Sequence, residues 1–492
     1  MRPKHIHLSG ICGTAMASLA GLLREKGCRV TGSDAAAYPP MSDQLREMGI
    51  DVAQPYAEAN LDALPDETGP DLVVIGNALS RGNPEVERVL DERIPFTSMA
   101  AVLREEFLAG RESLVVAGTH GKTTTTSMLA WIYQTASREN PLLEPSFLIG
   151  GVAENFGTSY QLRPTRTFLL EGDEYDTAFF DKGPKFLHYF PDGLILTSVE
   201  FDHADIYADL EQVKTAFKRL VNLVPRRGVI VAYDGSANVD ECVSRAFCRV
   251  ERYGFGTGAD WRVENLRHDD GRSKWEVHRK GQLWAEFEMT LAGEHNALNA
   301  TAAAALAANQ GVPLAAIQSA LASFESVKRR LEVRAVVDGV TIIDDFAHHP
   351  TAIRETLRAL RQVYPKARLW AVLEPRSNTL RRNVFQRELV ESLAIADHVI
   401  MDAVYQLQRI PEGERLHPEQ VIDALNAAGK PAELCADVSA IVDTLERQLR
   451  HGDVVAILSN GGFDGIYEKL PARLLRSKAA RRALINREAL VD

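Results

Sequence analysis

Along nearly the whole chain, short apolar runs rich in β-branched residues alternate with longer stretches whose apolar positions recur at helical spacing. The runs cover residues 5–9, 29–33, 72–75, 114–117, 167–170, 194–198, 229–232, 340–344, 369–373, 398–402 and 454–458. Strands that alternate with helices pair in parallel beneath helical layers, and their burial on both faces makes them continuously apolar. Most of these runs end in Gly, Ser, Asp or Glu. In open parallel sheets ligands bind beyond the carboxyl ends of the strands, so chemistry is expected in the residues just after each run.

Two stretches interrupt the rhythm. Around 107–113 a charged helix, Arg104-Glu105-Glu106, gives way through Gly110 to a new strand, and around 323–333 an Ala-rich helix ends before the basic Lys328-Arg329-Arg330. The expected fold class is therefore α/β in three domains: a Rossmann-like block at 1–108, a central P-loop block with a parallel sheet at 109–325, and a second Rossmann-like block at 326–492. A length of 492 residues, 45% apolar, is ample for several cores. The net charge of -11 disfavours polyphosphate backbones, so nucleic acid is not an expected partner. Five scattered cysteines without a CxxC pair suit reduced thiols and imply neither a disulfide framework nor a zinc site. No uninterrupted apolar run reaches the roughly 18 to 20 residues that span a bilayer, and a cytoplasmic protein with no membrane partner is expected. No oligomeric interface is legible, and a monomer is the simplest expectation.

The strongest motif is Gly118-Thr119-His120-Gly121-Lys122-Thr123-Thr124, which follows a strand and opens an apolar helix. Backbone N–H groups beside the glycines and at the helix N-terminus can cradle phosphates, Lys122 can reach the terminal ones, and the Thr123 hydroxyl can ligate Mg²⁺. Val116 stands where the full GxxxxGK[ST] pattern has its first glycine. Downstream strand ends carry Glu171, followed by Gly172-Asp173-Glu174-Tyr175-Asp176, and His203 within Glu200-Phe201-Asp202-His203. Carboxylate oxygens suit Mg²⁺, and a histidine would bind it as neutral imidazole. Alone, Glu171 could equally cap a helix and His203 could lie in a surface loop.

Asn296 and Asn299, in Gly293-Glu294-His295-Asn296-Ala297-Leu298-Asn299, share a helix face from which amides could read a purine edge. Near the N-terminus, Gly10-Ile11-Cys12-Gly13-Thr14-Ala15-Met16 follows a strand, and Asp34 ends the next one. This is a dinucleotide-fold layout with a broken GxGxxG, because Cys12 and Ala15 replace glycines, so a nucleoside diphosphate suits it better than NAD. In the last block, Asp344-Asp345-Phe346-Ala347-His348-His349-Pro350-Thr351, Glu374-Pro375-Arg376-Ser377-Asn378-Thr379 and Ser459-Asn460-Gly461-Gly462 form strand-end loops. Arg376 could clamp a carboxylate.

The phosphate loop, the Glu171 strand end, Asp202-His203, His295 to Asn299 and the 344–351 segment occur in the order and rough spacing of the Mur ligases, and the chain resembles that family over its full length. The 10–16 loop, Asn77-Ala78-Leu79-Ser80-Arg81-Gly82-Asn83-Pro84 and His348-His349-Pro350-Thr351 resemble the branch that acts on UDP-N-acetylmuramate. Within it, EGDEYDTAFFDKGPKFLHY at 171–189, EPRSNT at 374–379 and SNGGFDG at 459–465 resemble members that attach L-alanyl-γ-D-glutamyl-meso-diaminopimelate in peptidoglycan recycling, rather than L-alanine.

The resemblance implies an ATP-dependent, ADP-forming ligase that makes an acyl phosphate on the lactyl carboxylate and then an amide. It implies that Lys122, Glu171, His203 and His349 serve catalysis, with two Mg²⁺ ions held by Thr123, Glu171 and His203. Gly118, Thr119, His120, Gly121, Lys122, Thr123 and Thr124 would hold the ATP phosphates, Asn296 and Asn299 adenine, Arg330 a phosphate and Asp345 ribose. Gly10, Cys12, Gly13, Thr14, Ser33, Asp34, Asn77 and Ser80 would hold the UDP-sugar, and His348, Arg376, Asn378 and Asn460 the amino substrate. A carbamylated lysine assists several related ligases, but Phe217 with Lys218 beside it stands near that place, so none is expected; the HRYTR-type segment of the alanine adder is also missing. The alternatives are a UDP-N-acetylmuramate:L-alanine ligase, a nucleotide-driven switch that binds UDP-sugar without ligation, and folylpolyglutamate-type ligation, which the N-terminal block does not support.

Overall fold

The computed structural model of the chain describes residues 4–37, 41–62 and 69–488, with side chains as far as residue 478. Every predicted apolar run forms a strand, and the strands gather into three large sheets. The first has five parallel strands in the order Val52–Ala53, Arg29–Ser33, His5–Ser9, Leu72–Ile75, Phe96–Ser98. Its strand order reverses beside Ser9 and Ile75, which opens the crevice where ligands of such sheets bind.

The central sheet has ten strands. Glu112–Ala117 lies inside it, paired in parallel with Gly193–Leu196 on one side and Thr167–Gly172 on the other. Both edges are antiparallel: Thr158–Gln161 against Ser146–Ala153, and the meander Trp261–Asp269, Arg272–Arg279, Gln282–Met289. The predicted 194–198 run stops at Leu196. There the chain turns to brace the phosphate loop, with Thr197 Oγ1 donating to the His120 carbonyl at 2.5 Å and Ser198 Oγ accepting from the His120 N–H at 2.9 Å. Helices Lys122–Ala136 and Glu294–Asn309 cover one face, where Ala302 to Ala305 are fully buried and their small side chains permit close packing.

The third sheet has six strands in the order Glu332–Val337, Val340–Asp345, Val454–Leu458, Leu369–Leu373, His398–Asp402, Ala432–Cys435, parallel except for the first pair. Its cores, around Leu357 and Leu393 on one face and Ile441 and Leu470 on the other, draw on residues from 331 onward. By contrast, one continuous core runs from Leu8 and Leu22 through Phe107 and Phe168 to Phe217 and Val243, joining the first two sheets. Ser18 and Ser159 hydroxyls bond across that junction at 2.7 Å, and the Tyr160 ring fills the space where a Cβ on Gly21 would stand. Among the described residues no helix is long and apolar enough to cross a membrane.

Candidate active site

The phosphate loop leaves its strand through two backbone positions that only glycine fills without strain. Gly118 has φ of 137° and Gly121 of 79°, and a Cβ on Gly121 would lie 2.7 Å from Asn299 Oδ1. Val116 is a fully buried strand residue, so the loop begins two residues later than in the longer Walker pattern. Lys122 starts the helix, and its ammonium donates back to the Gly118 carbonyl at 2.7 Å.

Glu174, whose side chain is 2% exposed, meets that ammonium with both oxygens, at 2.9 and 2.8 Å. Burial works against the Lys122 charge, but Glu174 and Asp173 outweigh it and raise the pKa. The Glu174 carboxylate also meets His203 Nε2 at 3.2 Å. Burial would lower the His203 pKa, yet the Glu174 bond raises it to about 9. Glu171 lies on the other side of Lys122: one oxygen accepts from Thr123 Oγ1 at 3.1 Å and the other from the Gly150 N–H at 2.8 Å, while burial raises its pKa. Asp173 is paired with Lys185 at 2.6 Å, and despite burial Lys185 and Lys122 hold its carboxyl well below the usual range.

Thus Thr123 and Glu171 form one oxygen-rich donor group. A second comprises Asp173, Glu174 and His203, whose ligand atoms lie within 4.8 Å of one another. Hydroxyl and carboxylate oxygens fit Mg²⁺. Sequence reading selected Glu171 and His203 but gave Glu174 no role; its signal was the acidic string directly after Glu171.

A cavity of about 650 Å³ adjoins the loop, lined by His120, Gly121, Asn296, Asn299, Arg330 and Asp345 among others. Its size suits a nucleoside. Asn296 Nδ2 donates to the Ala292 carbonyl at 2.7 Å, and His295 Nδ1 is buried without a hydrogen-bond partner. Asp345 accepts from the Leu331 N–H, the Ala347 N–H and Thr356 Oγ1 at 2.8, 2.9 and 3.1 Å. Those contacts use about three of roughly four acceptor positions on a carboxylate, so its first task is to brace the entry into the third sheet. His349 caps helix Pro350–Val363: Nδ1 accepts from the Thr351 N–H at 3.2 Å, Nε2 faces the Phe201 carbonyl at 3.2 Å, and the ring packs 4.6 Å from that of His120. Burial, with His120 adding to it, lowers its pKa to about 4. With both nitrogens engaged, His349 joins the helix start to the loop after the central strand. Nearby Glu200 accepts from Thr351 Oγ1 at 2.8 Å and contacts His120 Nε2 at 3.3 Å.

Three family models match in succession: the Mur ligase family catalytic domain over residues 5–110, the Mur ligase middle domain over 116–307, and the Mur ligase glutamate ligase domain over 329–461. The chain belongs to the Mur ligase family. It is 44% identical over 466 residues to the UDP-N-acetylmuramate--L-alanyl-γ-D-glutamyl-meso-2,6-diaminoheptandioate ligase of Escherichia coli K12, covering 94% of this chain and 97% of that one. The enzyme of the same name from Haemophilus influenzae is 40% identical over 476 residues, covering 96% and 99%. The crystal structure of a murein peptide ligase from Psychrobacter arcticus 273-4 superposes with a TM-score of 0.72 at 37% identity, covering 96% and 98%. As a Mur ligase the chain is an ATP-dependent, ADP-forming amide ligase.

In this Mur ligase the N-terminal loop is tied internally. The Cys12 N–H donates to Asp34 Oδ2 at 2.8 Å, and Tyr56 donates to Asp34 Oδ1 at 3.3 Å. Burial, with Asp34 nearby, pushes the Cys12 thiol up to about 11. Gly13, Thr14 and Ser80 are exposed and Asn77 is half-buried, whereas Ser33 is fully buried with its hydroxyl on Glu85 at 2.6 Å. Phe217 packs in the core 5.2 Å from Phe186, and Lys218 reaches Glu241 at 2.6 Å. At the third sheet Arg376 lies over the Tyr405 ring at 4.0 Å and donates to Glu374 at 3.2 Å. Gly461, next to Asn460, packs against Arg376, and Asn460 Oδ1 is buried without a partner. His348 turns its Nδ1 to the Phe346 carbonyl at 2.8 Å. Asn378 is drawn to the central sheet instead, where Nδ2 donates to Asp205 at 2.7 Å.

Proposed function

We propose that this Mur ligase joins the amino group of L-alanyl-γ-D-glutamyl-meso-diaminopimelate to the lactyl carboxylate of UDP-N-acetylmuramate, with ATP converted to ADP and phosphate, in peptidoglycan recycling. The observation that carries the chemistry is the Lys122 ammonium over the phosphate loop, flanked by the Thr123–Glu171 and Glu174–His203 donor groups beside the cavity. The choice of tripeptide follows the relatives at 40% and 44% identity over nearly the whole chain, which carry that activity in their names.

The lactyl carboxylate oxygen attacks the γ-phosphorus of ATP and the bond to the bridging oxygen breaks, leaving ADP and an acyl phosphate. The L-alanine amine then attacks the carbonyl carbon, the tetrahedral adduct collapses with loss of phosphate, and the nitrogen gives up a proton. Lys122 stabilises charge on the transferring phosphoryl group, and positioning supplies most of the acceleration. The two donor groups would hold two Mg²⁺ ions, whose chemistry is neutralisation of phosphate charge. Asn296 and Asn299 would face adenine, and Arg330 a phosphate. Arg376 and Asn460 would meet the peptide, and Gly13, Thr14, Asn77 and Ser80 the UDP-sugar. Use of ATP and a UDP-sugar sets the reaction in the cytoplasm.

The test is phosphate release with ATP, Mg²⁺ and UDP-N-acetylmuramate, with either the tripeptide or L-alanine as the amine and Lys122→Ala as the blank. Release with the tripeptide alone is expected. Release with L-alanine alone would replace the proposal by the alanine-adding reaction, and release with neither would end the muramate assignment.

A further inference from the structure

Beneath the N-terminal crevice lies a glutamate that takes no part in the chemistry above. Glu85 is in the first turn of helix Pro84–Asp91, where Asn83 caps the helix, and it is 0% exposed. A carboxylate that deep is tolerated only if donors surround it. One oxygen accepts from Ser9 Oγ at 2.5 Å and Ser33 Oγ at 2.6 Å, with His7 Nε2 at 3.6 Å; the other accepts from Asn60 Nδ2 at 2.7 Å. Burial opposes its charge, but the bonds from His7, Ser33, Ser9 and Asn60 win and hold its pKa down to about 2.

The partners matter because of what they carry. Ser9 and Ser33 end two neighbouring parallel strands, and their carbonyls anchor the loops that follow: Ser33 accepts from the Gly10 and Ile11 N–H groups at 2.8 and 3.0 Å, and Ser9 from the Gly76 N–H at 2.9 Å. The 10–14 loop and Asp34 leave directly from these two residues, and the 77–80 loop follows Gly76, which is tied to Ser9. Their hydroxyls converge on one oxygen of Glu85, and Asn60 joins a further segment to the other oxygen.

We infer that Glu85 is a positioning residue for UDP-sugar binding, a buried carboxylate that sets the mutual geometry of the loops at the crevice without touching the substrate. This rests on the proposed UDP-N-acetylmuramate substrate. Charge-assisted bonds fix geometry more tightly than neutral ones. The isosteric Glu85→Gln keeps the volume but exchanges one acceptor for a donor, so either the serine hydroxyls or the Asn60 amide must reorient.

The experiment compares steady-state parameters and equilibrium binding of UDP-N-acetylmuramate for the wild-type chain, Glu85→Gln and Asn60→Ala, with thermal melts of each. The KM and Kd for UDP-N-acetylmuramate should rise about tenfold in Glu85→Gln and less in Asn60→Ala, the scale of one lost charge-assisted bond. The KM for ATP and kcat at saturating UDP-sugar should stay within about twofold, because the phosphate loop stands on another sheet. Equal loss of activity at unchanged KM, tracking a lowered melting temperature, would make Glu85 merely structural and overturn the inference. So would unchanged affinity in both variants. Should Glu85→Gln fail to fold, Asn60→Ala decides by the same comparison. A wild-type chain that does not bind UDP-N-acetylmuramate would instead remove the substrate reading, and this inference with it.

Discussion

A buried ammonium such as Lys122 is costly without an anion, and Glu174 is the anion that the fold sets against it. The same carboxylate holds the His203 pKa up at about 9. Glu174→Gln should therefore lower the His203 pKa by at least about one unit in metal-free protein, read from its imidazole NMR signals, and reduce kcat by about ten- to a hundredfold. An unshifted His203 would show that another group holds its charge. Two other histidines titrate the opposite way. Burial lowers His295 and His349 to about 4, below the usual 6.5. Between those values the unfolded chain takes up protons that the folded chain refuses, so this stability is full above about pH 6.5 and is lost as pH falls toward 4. Melting temperatures should drop between about pH 7 and pH 5, and His295→Gln should flatten the slope.

The elements legible in the sequence were strands buried on both faces, whose apolar runs need no partner to be recognised. Glu112–Ala117 and Val454–Leu458 are of this kind. Strands with one wet face were missed: Trp261–Asp269 alternates buried and accessible positions, and Thr158–Gln161 is a polar edge. For the same reason the site was legible where a motif is local, as in the 118–124 loop. It was illegible where partners lie far apart, as Lys122 and Glu174 do. Helix contacts show the same limit. Gly21 is the point where helix Thr14–Glu25 admits the Tyr160 ring, a contact 139 residues away along the chain. Gly21→Ala should destabilise the chain by about 1–3 kcal/mol in denaturant melts. Tyr160→Leu should restore part of that, and a lack of coupling between the two would show that the helix has shifted to make room.

At the scale of the molecule, stability is partitioned unevenly. The first two sheets share one core, while the third keeps its own and meets the others through hydrogen bonds such as Thr379 to Asp202 at 2.6 Å and Thr351 to Glu200 at 2.8 Å, with a few ring contacts such as Phe201 to Phe385 at 6.2 Å. Scanning calorimetry should resolve two transitions. A non-hydrolysable ATP analogue should raise both and draw them together, since Arg330 and Asn299 line one cavity from opposite sides of that polar junction. A single transition without nucleotide would mean that these polar contacts couple the units as strongly as a core does.

The shared core makes the molecule a vise with one fixed jaw. The N-terminal crevice and the phosphate loop stand on one packed unit, and the third sheet, with cores of its own, is the part expected to move. A ligand wedged between Thr379 and Asp202 would therefore hold Arg330 away from Asn299 and stall turnover, while the N-terminal crevice stays able to fill.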